Sequence, residues 1–301
     1  MEGILPLWKP KGLTSHDCVF KIRKMLKMKK VGHTGTLDPD VEGVLPICLG
    51  RATKIAEYIT EAGKVYEGEV TIGFSTTTED SSGDIVEEKR ISQPISIDEI
   101  SAVLHSLTGQ ITQTPPMFSA VKVNGKKLYE YARAGIEIER PARTVSIYEL
   151  ELLEDLQSHE NGLLSFKFRV SCSKGTYIRT LAVMMGEKLG YPAHMSKLVR
   201  VASAAFTEQD CVTFEQLESM ITLDTLDEII FPLEKGLEQL SVLEIDDKTA
   251  EKVKNGAVLN KPEIWPDGQV SMFYKGKVIA IYQLHPENKL AIKPVKVLRI
   301  N

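Results

Sequence analysis

One segment organises this sequence, and it reads Gly32-His33-Thr34-Gly35-Thr36-Leu37-Asp38-Pro39-Asp40-Val41-Glu42-Gly43-Val44-Leu45-Pro46. Its glycines and prolines favour an irregular backbone, and a histidine and three carboxylates lie within it. Ionisable side chains on an irregular loop are typical of binding and catalytic sites. The segment therefore predicts a functional loop between regular elements.

Generic motifs account poorly for this loop. The series Asp38, Asp40 and Glu42 resembles the start of a calcium-binding EF-hand loop, but the twelfth position, which must be glutamate, is Leu49. The Gly-x-x-x-x-Gly-Lys-Ser/Thr pattern of a phosphate-binding loop is absent. Two interpretations stay open on these residues alone: paired carboxylates for glycosidic-bond chemistry, or simple turn residues beside Pro39.

Regular elements are predicted on both sides of the loop. Helices are expected at 15–30, capped by Thr14 or Ser15, at 52–62, at 97–107 after a Ser96 cap, and at 177–189. Strands are expected at 65–74, 85–91, 145–153, 163–172 and 198–206. Their spacing is not that of strand–helix–strand repeats, which favours a mainly antiparallel sheet. From about residue 240 onward, short strands and glycine turns predict a small β-barrel.

The composition is that of a globular protein. The chain has 301 residues, of which 43% are hydrophobic and 26% charged, enough for two domains or one large one. Its four cysteines are scattered without a Cys-x-x-Cys pair, so neither a disulfide framework nor a zinc site is indicated. We find no signal peptide and no run long enough to span a membrane, and we expect a reduced, cytoplasmic compartment.

Charge is distributed unevenly along the chain. The net charge is −4, yet residues 1–30 carry eight Lys or Arg against two acids, and residues 252–301 carry nine against three. Between them, residues 207–251 hold thirteen acids and only two lysines. Two basic regions could contact a polyanion at two places, or could simply be solvated surfaces.

The loop, together with Gly50-Arg51-Ala52-Thr53 after it, is similar to the catalytic signature of the TruB-type tRNA pseudouridine synthases. Other motifs of that family occur in the expected order along nearly the whole chain. They are Lys9-Pro10-x-Gly12-x-Thr14-Ser15, Lys64-x-Tyr66-Glu67, Ser119-Ala120-x-Lys122, Gly175-Thr176-Tyr177-Ile178-Arg179-Thr180-Leu181 and Lys197-Leu198-x-Arg200. One departure is Thr77, at a position where many members have aspartate, whereas Asp80 keeps the second acid of that motif.

The resemblance implies an α+β pseudouridine-synthase fold, with a mainly antiparallel mixed sheet and flanking helices, and a small C-terminal PUA-like β-barrel. It implies a catalytic domain at 1–235, with an RNA-gripping insert at about 110–143, and an RNA-binding domain at 240–301. The implied activity is isomerisation of uridine-55 in the T-loop of tRNA to pseudouridine, by base flipping and without cofactor or metal. The implied partner is tRNA, held at the T-arm and the acceptor stem. We expect a monomer with no membrane association and no obligate protein partner.

Site residues are carried over from the motif in which each one lies. Asp38 corresponds to the nucleophile, Arg179 to the arginine that pairs with it, and Asp80 to an acid that shares this arginine. Tyr66 corresponds to a tyrosine that stacks on the flipped uracil and to which a role in proton transfer is attributed. The remaining substrate-binding residues are His33, which stacks in the space left by the extruded uridine, Tyr177 and Leu198, which line the pocket, and Lys9 and Pro10, which brace the loop.

Several alternatives stay open. An aspartate is already ionised at neutral pH, and the sequence does not distinguish attack on ribose C1′, addition to C6 of the base or removal of a ribose proton. His33 could be an acid or base rather than a stacking plug. The rival functions are a non-catalytic tRNA-folding chaperone, a guide-RNA-dependent subunit like dyskerin, and a uracil glycosidase that releases free base.

Overall fold

The computed structural model describes residues 1–154, 156–159 and 161–298. In these ranges the α-helices are α1 Ser15–Met25, α2 Ala56–Glu61, α3 Ile97–Ser106, α4 Leu128–Arg133, α5 Ile178–Leu189, α6 Phe214–Leu223 and α7 Asp247–Lys254. Short 3-10 helices lie at Gly50–Ile55, Glu208–Asp210, Leu226–Glu228 and Leu233–Leu237. None of the helices in the described ranges has the length and apolarity needed to cross a bilayer.

The strands are short to medium in length and belong to two compact units. They are β1 Gly3–Lys9, β2 Val31–His33, β3 Glu42–Leu49, β4 Lys64–Ile72, β5 Phe74–Thr76, β6 Ile85–Glu88, β7 Gly109–Gln113, β8 Lys122–Val123, β9 Lys126–Lys127, β10 Arg143–Leu152, β11 Gln157–Ser158, β12 Leu164–Cys172, β13 Ala193–Ser203, β14 Phe206–Thr207, β15 Ser241–Glu244, β16 Leu259–Asn260, β17 Val270–Tyr274, β18 Lys277–Leu284 and β19 Ala291–Val297. The first unit comprises residues 1–39, 44–62 and the described chain from 204 onward, and the second comprises 40–43 and 63–203.

The second unit is built on a sheet with the strand order β13–β4–β12–β10–β7. Each neighbouring pair is antiparallel, and helix α5 packs on β13 while α3 packs on β10. A short parallel pairing joins Glu42 and Gly43 to Val199 and Arg200. The predicted mainly antiparallel, mixed sheet is therefore confirmed.

Glycine is required at one point of that parallel pairing. Gly43 has φ +126°, a backbone conformation that residues with a side chain rarely adopt. A Cβ on Gly43 would also clash with the backbone of Arg200. The end of the signature loop can therefore lie directly against β13 only because Gly43 has no side chain.

In the first unit, β1 lies beside β3, and β2 pairs antiparallel with β3. Helices α1 and α6 cover these strands, and Val19 and Leu217 pack in one buried cluster with Leu5 and Leu45. Helix α1 starts at a Thr14 N-cap, which forms a capping box with Asp17 as its partner. The core of this unit thus holds β1 and the β2–β3 hairpin, which flank the signature loop.

The C-terminal part of the first unit is a five-stranded sheet in the order β15–β17–β18–β19–β16. Strand β15 is parallel to β17, and the other pairs are antiparallel. Helix α7 buries Ala250 and Val253 against Val270 and Ile292. This arrangement agrees with the expected PUA-like fold. The predicted domain boundary between 235 and 240 stays a prediction, and residues 299–301 lie outside the described residues.

Several predicted element boundaries were wrong, among them the end of β6, which lies at Glu88 rather than 91, and the end of β13, which lies at Ser203 rather than 206. Helix α1 ends at Met25 rather than Lys30, because Lys27 has the left-handed φ of 51°. Strand β13 begins at Ala193, five residues before its predicted start, and its early residues pair with the end of β4. The helix predicted from residue 52 begins as a 3-10 turn and becomes α-helical only at Ala56.

Candidate active site

In the first unit, the signature loop is held by a buried lysine. Lys9, the last residue of β1, is fully buried, and its ammonium group donates hydrogen bonds to the carbonyls of Pro10 (2.9 Å) and Pro39 (3.1 Å). The Pro39 carbonyl also accepts the N–H of Gly12 at 2.9 Å. A buried ammonium needs such acceptors, because an unpaired buried charge is costly. Lys9 therefore ties the residue that follows Asp38 to β1.

The residue that precedes Asp38 is held as well. The N–H of Leu37 donates to Oγ of Ser15 at 2.9 Å, and both residues are buried. On the same loop, the hydroxyl of Thr34 donates to the carbonyl of Pro46 at 3.0 Å. The half-buried Asp38 thus stands between two backbone positions that are each fixed by a hydrogen bond.

His33 ends β2, at the start of the loop. Its ring is partly exposed, and its Nδ1 accepts the N–H of Gly35 at 3.3 Å. The geometry therefore presents a flat aromatic ring beside the loop.

In the second unit, Arg179 is the organising residue. It lies in the first turn of α5, it is 5% exposed, and its guanidinium donates hydrogen bonds to the carbonyls of Thr78 and Phe118, both at 2.9 Å. The carboxylate of Asp80 lies 3.8 Å from the same guanidinium. The N-terminal end of a helix disfavours a cation, and these acceptors offset that disadvantage.

The structure brings Asp80 close to Arg179, as the shared-arginine prediction requires. The other carboxylate oxygen of Asp80 accepts hydrogen bonds from the hydroxyls of Thr78 and Ser82, both at 2.6 Å, and from the N–H of Ser82 at 3.0 Å. Burial by itself raises the pKa of Asp80, but these hydrogen bonds and the guanidinium outweigh it, so the pKa lies below its usual value. Asp80 is therefore ionised at neutral pH.

Three other predicted residues also lie in the second unit. Tyr66 on β4 is paired with Arg200 on β13, and its side chain is partly exposed. Two residues further along β4, Gly68 is paired with the nearly buried Leu198, so Tyr66 and Leu198 share one face of the sheet. Tyr177 precedes α5, and the guanidinium of Arg143 lies 4.6 Å from the centre of its ring.

Glu79 is a residue that the sequence analysis missed. It has the left-handed φ of 63°, and its carboxylate accepts the hydroxyl of Thr180 at 2.6 Å. Its carbonyl accepts the N–H of Met195 at 3.0 Å. Glu79 therefore fastens the loop that carries Asp80 to both α5 and β13. A glutamate next to an aspartate in a polar turn gives no sign in the sequence that it will be half-buried and hydrogen-bonded to α5.

Ser15, Thr78 and Phe118 were also not singled out as site residues. Ser15 entered the sequence analysis as a candidate helix cap and as the last residue of the Lys9–Ser15 motif, whereas its hydroxyl also holds the signature loop. Thr78 and Phe118 contribute carbonyl oxygens to Arg179, and every residue has a carbonyl, so side-chain chemistry could not indicate them. In the described ranges, no group of three or more His, Cys, Asp or Glu side chains is placed to hold a metal ion.

The sequence of this chain matches known families and named relatives. Two family models match: the N-terminal domain of TruB family pseudouridylate synthase over residues 23–178, and the tRNA pseudouridylate synthase B C-terminal domain over residues 179–238. Relatives named tRNA pseudouridine synthase B include one from Listeria welshimeri, 57% identical over 100% of this chain and 99% of the relative. Another, from Geobacillus thermodenitrificans, is 58% identical over 99% of this chain and 100% of the relative.

Solved structures give a similar result. A chain in the crystal structure of a Cbf5-Nop10-Gar1 complex superposes with a TM-score of 0.75 and 29% identity, over 99% of this chain and 85% of that chain. A chain in the structure of an H/ACA RNP bound to a substrate RNA containing 2'-deoxyuridine superposes with a TM-score of 0.73 and 27% identity. The match covers 99% of this chain and 85% of that chain.

The half-buried carboxyl of Glu79 leads to a prediction about stability. Burial raises its pKa, although the Thr180 hydroxyl and the Arg179 guanidinium act in the opposite direction. A raised pKa means that the folded state favours the protonated form, so this contribution to stability is present at low pH and lost as the pH rises through the folded-state pKa. We therefore expect Glu79→Gln to raise the free energy of unfolding at neutral pH, and this gain to disappear below about pH 4.

Urea unfolding of both proteins across this pH range measures the effect. The matched control is Glu87→Gln, which removes an exposed carboxylate from β6 of the same unit. The free energy of unfolding of Glu87→Gln should show no comparable increase over the wild type at neutral pH. A difference between Glu79→Gln and the wild type that stayed constant with pH would contradict the raised pKa.

Proposed function

We propose that the chain, which belongs to the TruB family of pseudouridylate synthases, isomerises uridine to pseudouridine in tRNA, at position 55 of the T-loop. The observation that carries the proposal is identity of 57–58% over essentially full length to relatives named tRNA pseudouridine synthase B. The signature loop supports it, because Lys9 and Ser15 hold the residues on both sides of Asp38. The reaction breaks the C1′–N1 bond, turns the base and forms a C1′–C5 bond, while C5 loses its proton and N1 gains one, so it consumes no co-reactant.

Asp38 is the proposed nucleophile. Carboxylates act as nucleophiles without an activating base, because they are already ionised at neutral pH. What the protein must supply is orientation, and a misplacement of about 1 Å can cost about 100-fold in rate. The hydrogen bonds to Leu37 and Pro39 supply that orientation through the backbone. Attack on C1′, addition to C6 and removal of a ribose proton all use a carboxylate held in this way.

Arg179 is the proposed electrostatic partner of the nucleophile. Its charge is permanent, and its two hydrogen-bonded carbonyls and nearby Asp80 fix the guanidinium in one orientation. A fixed guanidinium stabilises charge that develops during a reaction without having to reorganise. The proposed pairing of Arg179 with Asp38 is carried over from the family.

Tyr66, Tyr177 and Leu198 are the proposed contacts of the flipped uracil. Base flipping requires a pocket that replaces the lost stacking with aromatic and apolar surface. Tyr66 and Leu198 offer such surface on one face of the sheet, and Tyr177 adds a second ring at the start of α5. Arg143, which lies over the Tyr177 ring, holds that ring in place.

The insert at 110–143 is the proposed grip on the T-arm. Its cations divide into two groups. Arg140 donates to the carbonyl of Pro115, Lys127 donates to the hydroxyl of Tyr129 and Arg143 covers Tyr177, so these three cations already have partners within the protein. Lys122, Lys126 and Arg133 are exposed and are therefore the phosphate-binding candidates.

The C-terminal sheet is the proposed second contact with tRNA, at the acceptor stem. Its exposed cations, Lys261, Lys275, Lys277 and Lys289, support this role. The chain is proposed to act as a monomer without an obligate partner, since its identity to the tRNA pseudouridine synthase B relatives is about twice that to the chain from the Cbf5-Nop10-Gar1 complex. Because the proposed substrate is tRNA, we also propose a cytoplasmic location.

Asp38→Asn tests the function and the nucleophile together. Since no amide can replace a nucleophilic carboxylate, we expect pseudouridine formation to fall by more than about 1,000-fold. Binding of tRNA should be nearly unchanged, because affinity comes mainly from phosphate contacts elsewhere. The measurements are nucleotide-resolved pseudouridine mapping on an unmodified tRNA transcript, and a binding titration.

The matched control is Asp40→Asn, which removes an exposed carboxylate two residues away. It should retain activity, whereas a mechanism with paired carboxylates requires both aspartates. Release of free uracil would indicate a glycosidase instead. Tight binding by the wild type with no base product at all would indicate a tRNA-folding chaperone.

The proposed grip predicts a change in salt dependence. The double substitution Lys122→Gln and Lys126→Gln should weaken tRNA binding, and the slope of log K against log salt should fall by about 0.7–0.9 for each phosphate that the variant no longer neutralises. Binding titrations at several salt concentrations measure this slope. The control is Lys89→Gln with Lys188→Gln, two exposed lysines of the same unit outside the insert, which make the same change in net charge. Equal slopes of log K against log salt for the two double variants would contradict phosphate binding by Lys122 and Lys126.

His33 distinguishes stacking from proton transfer. A stacking plug acts through the face of its ring, so His33→Phe should keep more activity than His33→Ala and should not remove any inflection in the pH–rate profile. An acid or base would titrate near its own pKa, and no phenyl ring could replace it. Single-turnover rates against pH provide the measurement. Equal inactivity of both variants, with a wild-type inflection near neutral pH, would assign proton transfer to His33.

A further inference from the structure

A buried glutamine contacts the backbone at the start of α5. Gln113 is the last residue of β7 and is 1% exposed. Its Oε1 accepts the N–H of Tyr177 at 3.0 Å, and its Nε2 donates to the carbonyl of Tyr177 at 3.1 Å. One carboxamide thus satisfies both backbone groups of a residue that lies 64 positions away.

Tyr177 is a sensitive position for such a contact. It is the N-cap of α5, and its side chain makes no capping hydrogen bond. Its carbonyl also accepts the first helical hydrogen bond, from Leu181, at 3.0 Å. Helix starts leave backbone groups without intrahelical partners. The Gln113 carboxamide therefore fixes the point at which the helix begins, and Arg179 follows two residues later.

The segment that begins at Gln113 contacts Arg179 a second time. Five residues further along, the carbonyl of Phe118 accepts the Arg179 guanidinium at 2.9 Å. Gln113 therefore holds the backbone from which Arg179 projects, while Phe118 holds the charged end of its side chain. The same short segment therefore fixes both the backbone near Arg179 and the guanidinium at the end of its side chain.

We propose that Gln113 is a positioning residue for the isomerisation: its carboxamide sets the backbone of Tyr177 and thereby the placement of Arg179. The inference rests on the proposed function, because it assumes that Arg179 and Tyr177 serve the reaction. Gln113 itself lies beneath these residues, hydrogen-bonded to backbone. Its effect must therefore appear in the rate of the chemical step rather than in tRNA affinity.

The chemistry of the contact determines which substitutions are informative. The site needs one acceptor and one donor on the same planar group, which a carboxamide provides. Methionine has a similar length but provides no N–H donor. A protonated glutamate again has one donor and one acceptor, whereas an ionised glutamate has only acceptors and faces the Tyr177 carbonyl with a negative charge. Glutamate at position 113 is therefore a pH-controlled version of the native contact.

The experiment compares the wild type, Gln113→Met and Gln113→Glu between about pH 5 and pH 8, a range in which a buried carboxyl with a raised pKa titrates. Three quantities are measured at each pH: the single-turnover rate at saturating tRNA, the tRNA dissociation constant, and the folded fraction from circular dichroism. The control is Gln93→Glu, which introduces the same charge at an exposed site of the same unit.

We expect Gln113→Met to lower the single-turnover rate per folded molecule by about 100-fold, with the dissociation constant within about twofold of the wild type, as for a misplaced reacting group. For Gln113→Glu, the rate relative to the wild type should be highest at the low end of the pH range and should fall as the carboxyl ionises. Gln93→Glu should follow the wild type throughout.

Three results would overturn the inference. They are a wild-type rate in Gln113→Met, a loss explained entirely by the folded fraction or by tRNA affinity, and a Gln113→Glu rate whose ratio to the wild type does not change with pH. If Gln113→Met does not fold, the test relies on the single-turnover rate of Gln113→Glu relative to the wild type. This rate ratio is then compared over the pH values at which Gln113→Glu is folded. A wild-type protein that forms no pseudouridine would instead refute the proposed function, so the two failures are distinguishable.

Discussion

The buried guanidinium of Arg179 is the constraint on which the second unit depends. Arginine keeps its charge in any protein environment, and leaving a buried charge without partners costs several kcal/mol. The chain meets this requirement with the carbonyls of Thr78 and Phe118 and with the carboxylate of Asp80. Two loops from distant parts of the sequence, one after β5 and one after β7, must therefore converge on the first turn of α5.

Lys9 imposes a similar constraint on the first unit. Its ammonium group is fully buried, and it takes the carbonyls of Pro10 and Pro39 as acceptors. An irregular loop leaves carbonyl groups that no helix or strand pairs, and a buried cation satisfies several of them at once. In each unit, a buried cation thus gives an irregular segment a defined shape. Asp38 and Asp80 lie in the segments that are shaped in this way.

Much of the architecture could be predicted, because it follows from local patterns. The Ser96 cap forms as predicted and Thr14 is the one of the two candidates that caps α1, each with an acid three residues later. The alternation and spacing of the strands indicated a mainly antiparallel sheet, and the order of the family motifs indicated the TruB-type fold. The early end of α1 was not predictable, since Lys27 is not a residue type that marks a left-handed turn. The start of β13 depends on pairing with β4, which is not a local property.

By itself, the sequence nominated the residues that we propose carry the chemistry, Asp38, Tyr66, Asp80 and Arg179, through the type and order of its motifs. Only the tertiary structure decided what holds these residues. The acceptors of Arg179 are backbone carbonyls, and the partner of the Tyr177 backbone is a glutamine 64 positions away. Every residue has a carbonyl, and a glutamine is usually exposed. Such contacts leave no mark in the order of side chains, because only the folded chain brings a particular carbonyl or carboxamide to a particular place.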